Sequence, residues 1–182
     1  MTVGLDEIRS VRASAERLYS PQEVERAIDR MAADITARLN SSNPLVLTVL
    51  NGGVIFAGHL LSRLDFPLEL DSLRASRYGG ATSGSHIRWL VEPKTPLEGR
   101  CVLVVDDVLD EGITLAEILA WCRAHGAGKV LSAVLVEKDL GRPKPCTADF
   151  VGLKTDDRYQ FGYGMDYKGY WRNAPGIFAV NS

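Results

Sequence analysis

Residues 101–114, CVLVVDDVLDEGIT, decide the fold of this chain. The first five are apolar, and such a run is typical of a strand that is buried on both faces of a parallel sheet. Three aspartates, a glutamate, a glycine and a threonine follow, and a helical pattern opens at Leu115. Because open α/β sheets bind ligands beyond the carboxyl ends of their strands, this junction predicts a ligand site.

The same stretch predicts a site for an anion. The backbone N–H groups of residues 111–114 would lie at the N-terminus of the new helix, where such groups bind phosphate. Acids beside a phosphate need a divalent metal or sugar hydroxyls as partners. The residues alone leave other interpretations open, since an Asp-Asp pair also follows a strand in phospho-acceptor receiver domains, and an acidic loop is often only solvated surface.

The complete string is more specific than the acid pair. A hydrophobic strand is followed by two acids, two apolar residues, Asp110, one further residue, Gly112, any residue and Thr114. This order resembles the phosphoribosyl-diphosphate motif of the type I phosphoribosyltransferases. The resemblance implies that Asp106 and Asp107 bind the ribose hydroxyls and the shell of a Mg²⁺ ion. It also implies that Asp110 takes the N7 proton of a purine.

In that family the end of the motif binds phosphate, which here assigns the role to Glu111, Gly112, Ile113 and Thr114. Glu111 departs from the family, which usually has Thr or Ser at this point. A carboxylate would repel a phosphate, so we expect the side chain of Glu111 to point away and only its N–H to serve.

Composition and charge exclude several classes of protein. The chain has 182 residues, of which 46% are hydrophobic and 24% charged, as in a globular protein of one domain. A net charge of −2 gives no indication of a nucleic-acid or membrane partner. We find no apolar run near the ~20 residues of a membrane span, no signal peptide, and no cysteine spacing for a disulfide framework or a zinc site. We therefore expect a cytoplasmic protein.

The first predicted strand also ends in a recognisable turn. Ser20 and Glu23 form a capping box before a helix that stops at residues 40–44. The buried strand 45–50 follows, then Asn51, Gly52 and Gly53, which we call the glycine turn, and a helix to about residue 64. In the hypoxanthine-guanine branch of the family this turn reads Leu-Lys-Gly-Gly and holds pyrophosphate. The resemblance therefore implies pyrophosphate binding here, with Asn51 in place of the lysine.

Residues 68–91 predict a hairpin. Two alternating segments, 68–75 and 86–91, flank a loop that contains three glycines. On composition alone this is an ordinary hairpin tip. The family has a mobile catalytic loop here with a Ser-Tyr pair, and Tyr78 matches its tyrosine. Arg77 stands in place of the serine, where it would restore the positive charge that is missing at Asn51.

The last third of the chain supplies the remaining predicted contacts with the base. Lys138 follows the buried strand 130–136; alone it would be a surface charge, but in the family a lysine there binds the 6-oxo group of the purine. Residues 157–167, which we call the base-covering segment, closely resemble the family's cover over the base. Tyr159 would stack on the purine, and the backbone at Gln160 would meet its edge. On composition alone these aromatic residues predict core packing.

Two more roles come from this part of the resemblance. Asp166 would help to hold the metal through water, and Arg172 would bind pyrophosphate. The resemblance extends from about residue 20 to residue 180.

We therefore predict a doubly wound, mostly parallel α/β sheet in one domain, with a core at about 21–137 and a small hood from 1–20 and 138–182. The resemblance implies a purine salvage transferase that uses 5-phosphoribosyl diphosphate, hypoxanthine or guanine, and Mg²⁺, and that forms a homo-dimer or tetramer. The sequence does not rank hypoxanthine, guanine and xanthine. The alternatives are a transferase for another base, and a regulator on the same fold, which would require a basic face or an added module.

Overall fold

We describe a computed structural model of the chain over residues 4–78 and 86–181. Its helices are α1 (Leu5–Ser14), α2 (Pro21–Leu39), α3 (Gly53–Leu61) and α4 (Ile113–Ala124). Its strands are β1 (Glu16–Tyr19), β2 (Leu45–Val49), β3 (Glu69–Tyr78), β4 (His86–Val91), β5 (Cys101–Leu109), β6 (Lys129–Asp139), β7 (Phe150–Asp156), β8 (Gln160–Phe161) and β9 (Ile177–Ala179).

The described residues form a large sheet and a small one. The large sheet has the strand order β4-β3-β2-β5-β6-β7. Its strands are parallel except β4, which pairs antiparallel with β3 as the predicted hairpin requires. The small sheet, β1-β9-β8, is antiparallel. No helix in the described part of the chain is long and apolar enough to cross a membrane.

Helices cover both faces of the large sheet, and this confirms the doubly wound prediction. One face packs against α2 and α3, with Ile28, Ile35 and Phe56 among its fully buried side chains. The other face packs against α4 through Leu115 and Ile118. The strands between these layers are apolar on both sides, as the run at 101–105 predicted.

The predicted capping box opens α2. The Ser20 hydroxyl accepts a hydrogen bond from the Glu23 backbone N–H at 3.3 Å, and the Glu23 carboxylate accepts one from the Ser20 N–H at 2.8 Å. This capped helix ends at Leu39, where the sequence predicted a stop.

Three strands extend further than predicted. β5 continues through both acids of the pair to Leu109, β6 includes Lys138, and β3 continues to Tyr78. The ladder between β5 and β6 still pairs Leu109 with Glu137, because backbone hydrogen bonds do not require apolar side chains. An apolar run therefore marks the part of a strand that is buried on both faces, and it does not mark where the strand ends. α4 likewise begins at Ile113, two residues before the predicted helical pattern.

The predicted boundary of the hood is wrong. β7 pairs parallel with β6, so residues 150–156 belong to the large sheet rather than to a hood that starts at 138. The small sheet and α1 form the separate layer instead, and the Trp171 indole N–H ties them together by donating to the Ile8 carbonyl at 2.7 Å. β7 thereby adds a sixth strand at the edge of the large sheet.

Candidate active site

The carboxyl ends of β2, β5 and β6 open into one cavity of about 420 Å³. Nearly all predicted site residues line it: Asn51, Gly52, Asp106, Asp107, Asp110, Glu111, Gly112, Ile113, Thr114, Lys138, Tyr159, Gln160, Asp166 and Arg172. Gly53 is buried directly behind the lining, at the start of α3. Residues that were not predicted, including Leu50, Ala75 and Met165, complete the wall.

One prediction falls outside the residues that the structure describes. Residues 79–85 and the side chains of Arg77 and Tyr78 are not described, so the proposed catalytic loop and both of its side chains stay predictions. The backbone of β3 nevertheless places Tyr78 opposite His86 in the hairpin.

The acid pair is the most buried charged feature of the cavity. Asp107 is only 7% exposed, and its backbone N–H donates to the Asp106 carboxylate at 2.9 Å. Burial and the neighbouring Asp107 charge raise the pKa of Asp106 well above its usual value. Burial also raises the pKa of Asp107, although Asp106 and the nearby Arg172 charge oppose this effect. Further positive charge close to the pair would favour the ionised form of both carboxylates.

The donor chemistry of this pair fits Mg²⁺. Carboxylate oxygens are the ligands that Mg²⁺ prefers, and it is commonly bound by one or two of them together with substrate oxygens and water. Within the described residues there is no cluster of three metal-binding side chains, so a fully protein-built cage is absent from that part of the chain. Asp166 is engaged elsewhere: it pairs with Arg172 at 2.5 Å and accepts the Gly169 N–H at 2.6 Å.

The glycine turn lies against the acid pair. A Cβ atom on Gly52 would meet the Asp107 carboxylate at 2.3 to 2.7 Å, and one on Gly53 would lie 2.8 Å from the Val105 carbonyl oxygen. Real Cβ atoms essentially never make contacts this short, so a side chain at position 53 would clash with backbone, and one at position 52 would have to displace the Asp107 carboxylate. This packing brings the backbone of the glycine turn next to the acids of β5.

Asp110 and Lys138 form an ion pair at 3.0 Å across the ends of β5 and β6. The Lys138 side chain is 12% exposed, and it also lies 3.7 Å from Asp157. The sequence predicted each residue for a separate contact with the base, and the structure places a carboxylate and an ammonium side by side. Such an arrangement matches a ligand edge that has one donor and one acceptor.

The loop before α4 has the geometry of a helix N-terminus. Gly112 is the N-cap residue, with φ of +81°, and its carbonyl accepts the first helical hydrogen bond, from Ala116 at 2.9 Å. Glu111 pairs with Arg142 at 3.2 Å. Its carboxylate is therefore directed towards a cation.

Sequence reasoning missed the residues 142–146, which support this loop from outside. Arg142 pairs with Glu111, and the Lys144 ammonium donates to the carbonyls of Leu109 and Lys138 at 3.1 and 2.5 Å. Lys144 thus joins the strand ends that carry Asp110 and Lys138. A lysine between two prolines has no pattern that distinguishes it from a surface charge, so the sequence offered no means of finding it.

The base-covering segment closes one side of the cavity. Tyr159 is 54% exposed, and its ring lies edge-on to Tyr167 with 5.7 Å between centroids. The Gln160 side chain turns away from the opening and donates to the Thr155 hydroxyl at 2.7 Å. The Arg172 guanidinium donates to the Gly164 carbonyl at 2.6 Å, which holds it at the cavity wall.

Comparison with known proteins agrees with this geometry. The family model for the phosphoribosyl transferase domain matches residues 14–168. The chain is 32% identical to the hypoxanthine-guanine phosphoribosyltransferase of Bacillus subtilis, over 88% of this chain and 89% of that protein. It is 34% identical to the hypoxanthine-guanine-xanthine phosphoribosyltransferase of Tritrichomonas foetus, over 88% of each.

Solved structures give the same result. A hypoxanthine-guanine-xanthine phosphoribosyltransferase superposes with a TM-score of 0.84 and 31% identity, over 92% of this chain and 97% of that one. A hypoxanthine phosphoribosyltransferase from Staphylococcus aureus superposes with a TM-score of 0.86 and 26% identity, over 91% of each chain. With its mostly parallel sheet, and with the acid pair and the N-terminus of α4 at one cavity, this chain belongs to the phosphoribosyltransferase family.

Proposed function

We propose that this protein transfers a phosphoribosyl group from 5-phosphoribosyl diphosphate to hypoxanthine or guanine, giving the nucleoside monophosphate and pyrophosphate. The observation that carries the choice of a 6-oxopurine is the Asp110–Lys138 pair. In these bases N7 and O6 lie on one edge. When N7 carries hydrogen, that edge presents a donor beside an acceptor, which complements a carboxylate beside an ammonium.

Breaking the anomeric C–O bond leaves a cation-like sugar and a polyanionic leaving group. The backbone of the glycine turn and the Arg172 guanidinium would bind the diphosphate, and fixed donors of this kind stabilise charge as it develops. The N-terminus of α4 at residues 111–114 would bind the 5-phosphate. Asp106 and Asp107 would hold the ribose hydroxyls together with Mg²⁺, with Asp166 joining through water. The ion, when bound, would supply positive charge to both the acids and the diphosphate.

The base would be held by its edge and by its face. Lys138 would donate to O6, and Asp110 would take the N7 proton as the base attacks. Tyr159 would stack on the ring, and its exposure makes its ring available for this contact. The loop that follows Tyr78 would close over the site and exclude water, which otherwise captures the sugar cation.

We also propose that the protein is a cytoplasmic homo-oligomer, a dimer or tetramer, with small-molecule substrates and no nucleic-acid or membrane partner. Its net charge of −2 and its resemblance to the family support this proposal. Light scattering of the purified protein measures the oligomeric state directly, and a monomer at micromolar concentration would contradict it.

Xanthine is a second candidate base, because one relative at 34% identity is a hypoxanthine-guanine-xanthine phosphoribosyltransferase. The purified protein with 5-phosphoribosyl diphosphate, Mg²⁺ and each of adenine, hypoxanthine, guanine, xanthine and orotate tests both proposals. We expect nucleotide from the 6-oxopurines and none from adenine, whose 6-amino group presents a donor to Lys138. Excess chelator should abolish turnover. Formation of nucleotide from adenine or orotate alone, or full turnover in chelator, would contradict the proposal.

A further inference from the structure

Three consecutive residues of the base-covering segment, 162–164, have left-handed backbone conformations, and we call them the left-handed turn. Gly162 and Gly164, with φ of +105° and +113°, adopt such angles readily. Tyr163, with φ of +47°, has a side chain that disfavours this conformation. A non-glycine residue keeps this conformation only when the surrounding structure holds it. The contacts of Tyr163 therefore have to stabilise the left-handed turn.

On one side, the left-handed turn touches the glycine turn. A Cβ atom on Gly164 would lie 2.1 Å from the Gly52 carbonyl oxygen and 3.2 Å from the Asp107 Cβ, so the two backbones are in direct contact. Gly164 also exchanges two hydrogen bonds with Arg172: its N–H donates to the Arg172 carbonyl at 2.9 Å, and its carbonyl accepts from the guanidinium at 2.6 Å. The left-handed turn therefore lies between the two groups assigned to the diphosphate.

On the other side, Tyr163 is anchored to the helical layer. Its ring is buried, and its hydroxyl donates to the Glu25 carboxylate of α2 at 2.5 Å. Glu25 also pairs with Arg63 at 2.6 Å and lies 2.9 Å from the His59 ring nitrogen on α3. Because α3 begins at Gly53, this network fixes the left-handed turn to the helix that carries the glycine turn.

The protonation states of the pair are stable around neutral pH. Burial and the hydrogen bond to Glu25 raise the pKa of Tyr163, so the phenol keeps its proton. Burial also raises the pKa of Glu25, but the hydrogen bonds from Tyr163 and Arg63 outweigh it, so its pKa lies below the usual value. A neutral donor thus faces an ionised acceptor, which is the stronger kind of hydrogen bond.

We propose that Tyr163 and Glu25 are positioning residues for the diphosphate half of the substrate: they hold the left-handed turn, and with it Arg172, against the glycine turn. The proposal rests on the proposed function. It predicts an effect on the diphosphate and not on the base, because the base contacts are held separately. Lys138 and Asp110 lie at the strand ends, and Gln160 is held by its bonds to Thr155 and by the pairing of β8 with β9.

The test compares two Tyr→Phe variants. Tyr163→Phe removes only the hydroxyl that bonds Glu25. Tyr19→Phe is the matched control, because its hydroxyl also links the small sheet to the core by donating to the Lys154 carbonyl, at 2.6 Å, away from the diphosphate groups. We measure KM for each substrate, Kd for magnesium pyrophosphate by calorimetry, and Tm.

For Tyr163→Phe we expect KM for 5-phosphoribosyl diphosphate and Kd for magnesium pyrophosphate to rise roughly 3- to 10-fold, as for other positioning networks, with KM for the base unchanged. Tyr19→Phe should change none of these constants, whatever it does to Tm. Equal effects of the two variants, or an equal rise in KM for both substrates, would overturn the proposal.

A double-mutant cycle distinguishes the effect of losing the Tyr163–Glu25 hydrogen bond from the effect of altered packing. Glu25→Ala should weaken pyrophosphate binding, and adding Tyr163→Phe to it should have no further effect; additive losses would overturn the proposed link. The calorimetry also separates this inference from the proposed function. A wild-type protein that binds magnesium pyrophosphate but forms no nucleotide contradicts the proposed function. The Kd values of the wild type and of Tyr163→Phe then still test whether Tyr163 positions the diphosphate groups. A wild type that does not bind it overturns both.

Discussion

The carboxylates of the cavity are balanced in different ways. Asp110 has Lys138 at 3.0 Å, and Glu111 has Arg142 at 3.2 Å. The acid pair has no cation at such a distance among the ion pairs of the described residues, and burial raises the pKa of both of its members. Single residues therefore already distinguish the carboxylates that have a cation as an ion-pair partner from the acid pair, for which the charge of the more distant Arg172 only partly offsets the raised pKa.

We predict that Asp110→Asn lowers kcat by roughly 10²- to 10⁴-fold, the usual contribution of a general base, and changes KM for 5-phosphoribosyl diphosphate far less. Asp157→Asn is the matched control, because Asp157 is the second carboxylate near Lys138, at 3.7 Å. Steady-state kinetics on both variants checks this. An Asp110→Asn enzyme with nearly full kcat would remove Asp110 from the mechanism.

We predict that Glu111→Thr lowers KM for 5-phosphoribosyl diphosphate. The change removes a negative charge at the proposed phosphate site, residues 111–114, adds a hydroxyl donor and releases Arg142. The gain should be about 0.5–1.5 kcal/mol, the net contribution of one hydrogen bond.

Arg142→Ala provides the comparison for Glu111. We expect KM to rise in the wild-type background, where the Glu111 carboxylate loses the Arg142 cation, and to rise less in the Glu111→Thr background. A clearly higher KM in Glu111→Thr itself would mean that the ion pair with Arg142 orders the loop and that its loss outweighs the gain.

At the scale of elements, the cavity depends on how closely the β2–α3 turn approaches β5. We predict that Gly52→Ala lowers kcat/KM for 5-phosphoribosyl diphosphate by about 10²-fold, the cost of misplacing reacting groups by an ångström. The new Cβ atom of the alanine would overlap the Asp107 carboxylate, so the turn or the carboxylate has to move. Kinetics and Tm of the variant measure this effect.

Gly58→Ala on the same helix is the control. A Cβ atom there meets nothing within 4 Å, so we expect full activity and a gain of about 0.5–1 kcal/mol in unfolding free energy from helix propensity. A Gly52→Ala enzyme that behaved like Gly58→Ala would show that the close approach is not needed for binding.

For the whole molecule, the acid pair links function to stability. Burial raises the pKa of Asp106 in the folded protein well above its ordinary value of 3.8. The folded state then holds the Asp106 proton more tightly than the unfolded chain does, so this group lowers the stability as pH rises from about 3.8 through the folded pKa. Asp106→Asn cannot ionise and avoids this loss.

We therefore predict that, in chelator, Asp106→Asn has a higher Tm than the wild type at pH 7 to 8 and that this difference in Tm shrinks towards pH 4. We also expect the variant to be inactive as an enzyme. Thermal unfolding across this range measures the difference, and Asp65→Asn at an exposed site controls for net charge. A Tm difference that is constant with pH would contradict the assigned shift.

The sequence determined the parts of this protein that depend on local order. The apolar run 101–105 gave a buried strand, Ser20 and Glu23 gave the start of α2, and the motif at 106–114 gave the place of the cavity. Strand cores, helix caps and turns are fixed by neighbours in the chain, so their residues carry the information directly.

Tertiary structure alone decided which of these parts meet. It placed β7 in the large sheet, joined Asp110 to Lys138 and Glu111 to Arg142, and brought Tyr163 to Glu25 across 138 residues of chain. Such contacts depend on strand order and on the packing of helices against the sheet, and a partner so distant leaves no periodic trace around either residue. The place of the site was therefore predictable from the sequence, while the ion pairs between its residues followed only from the fold.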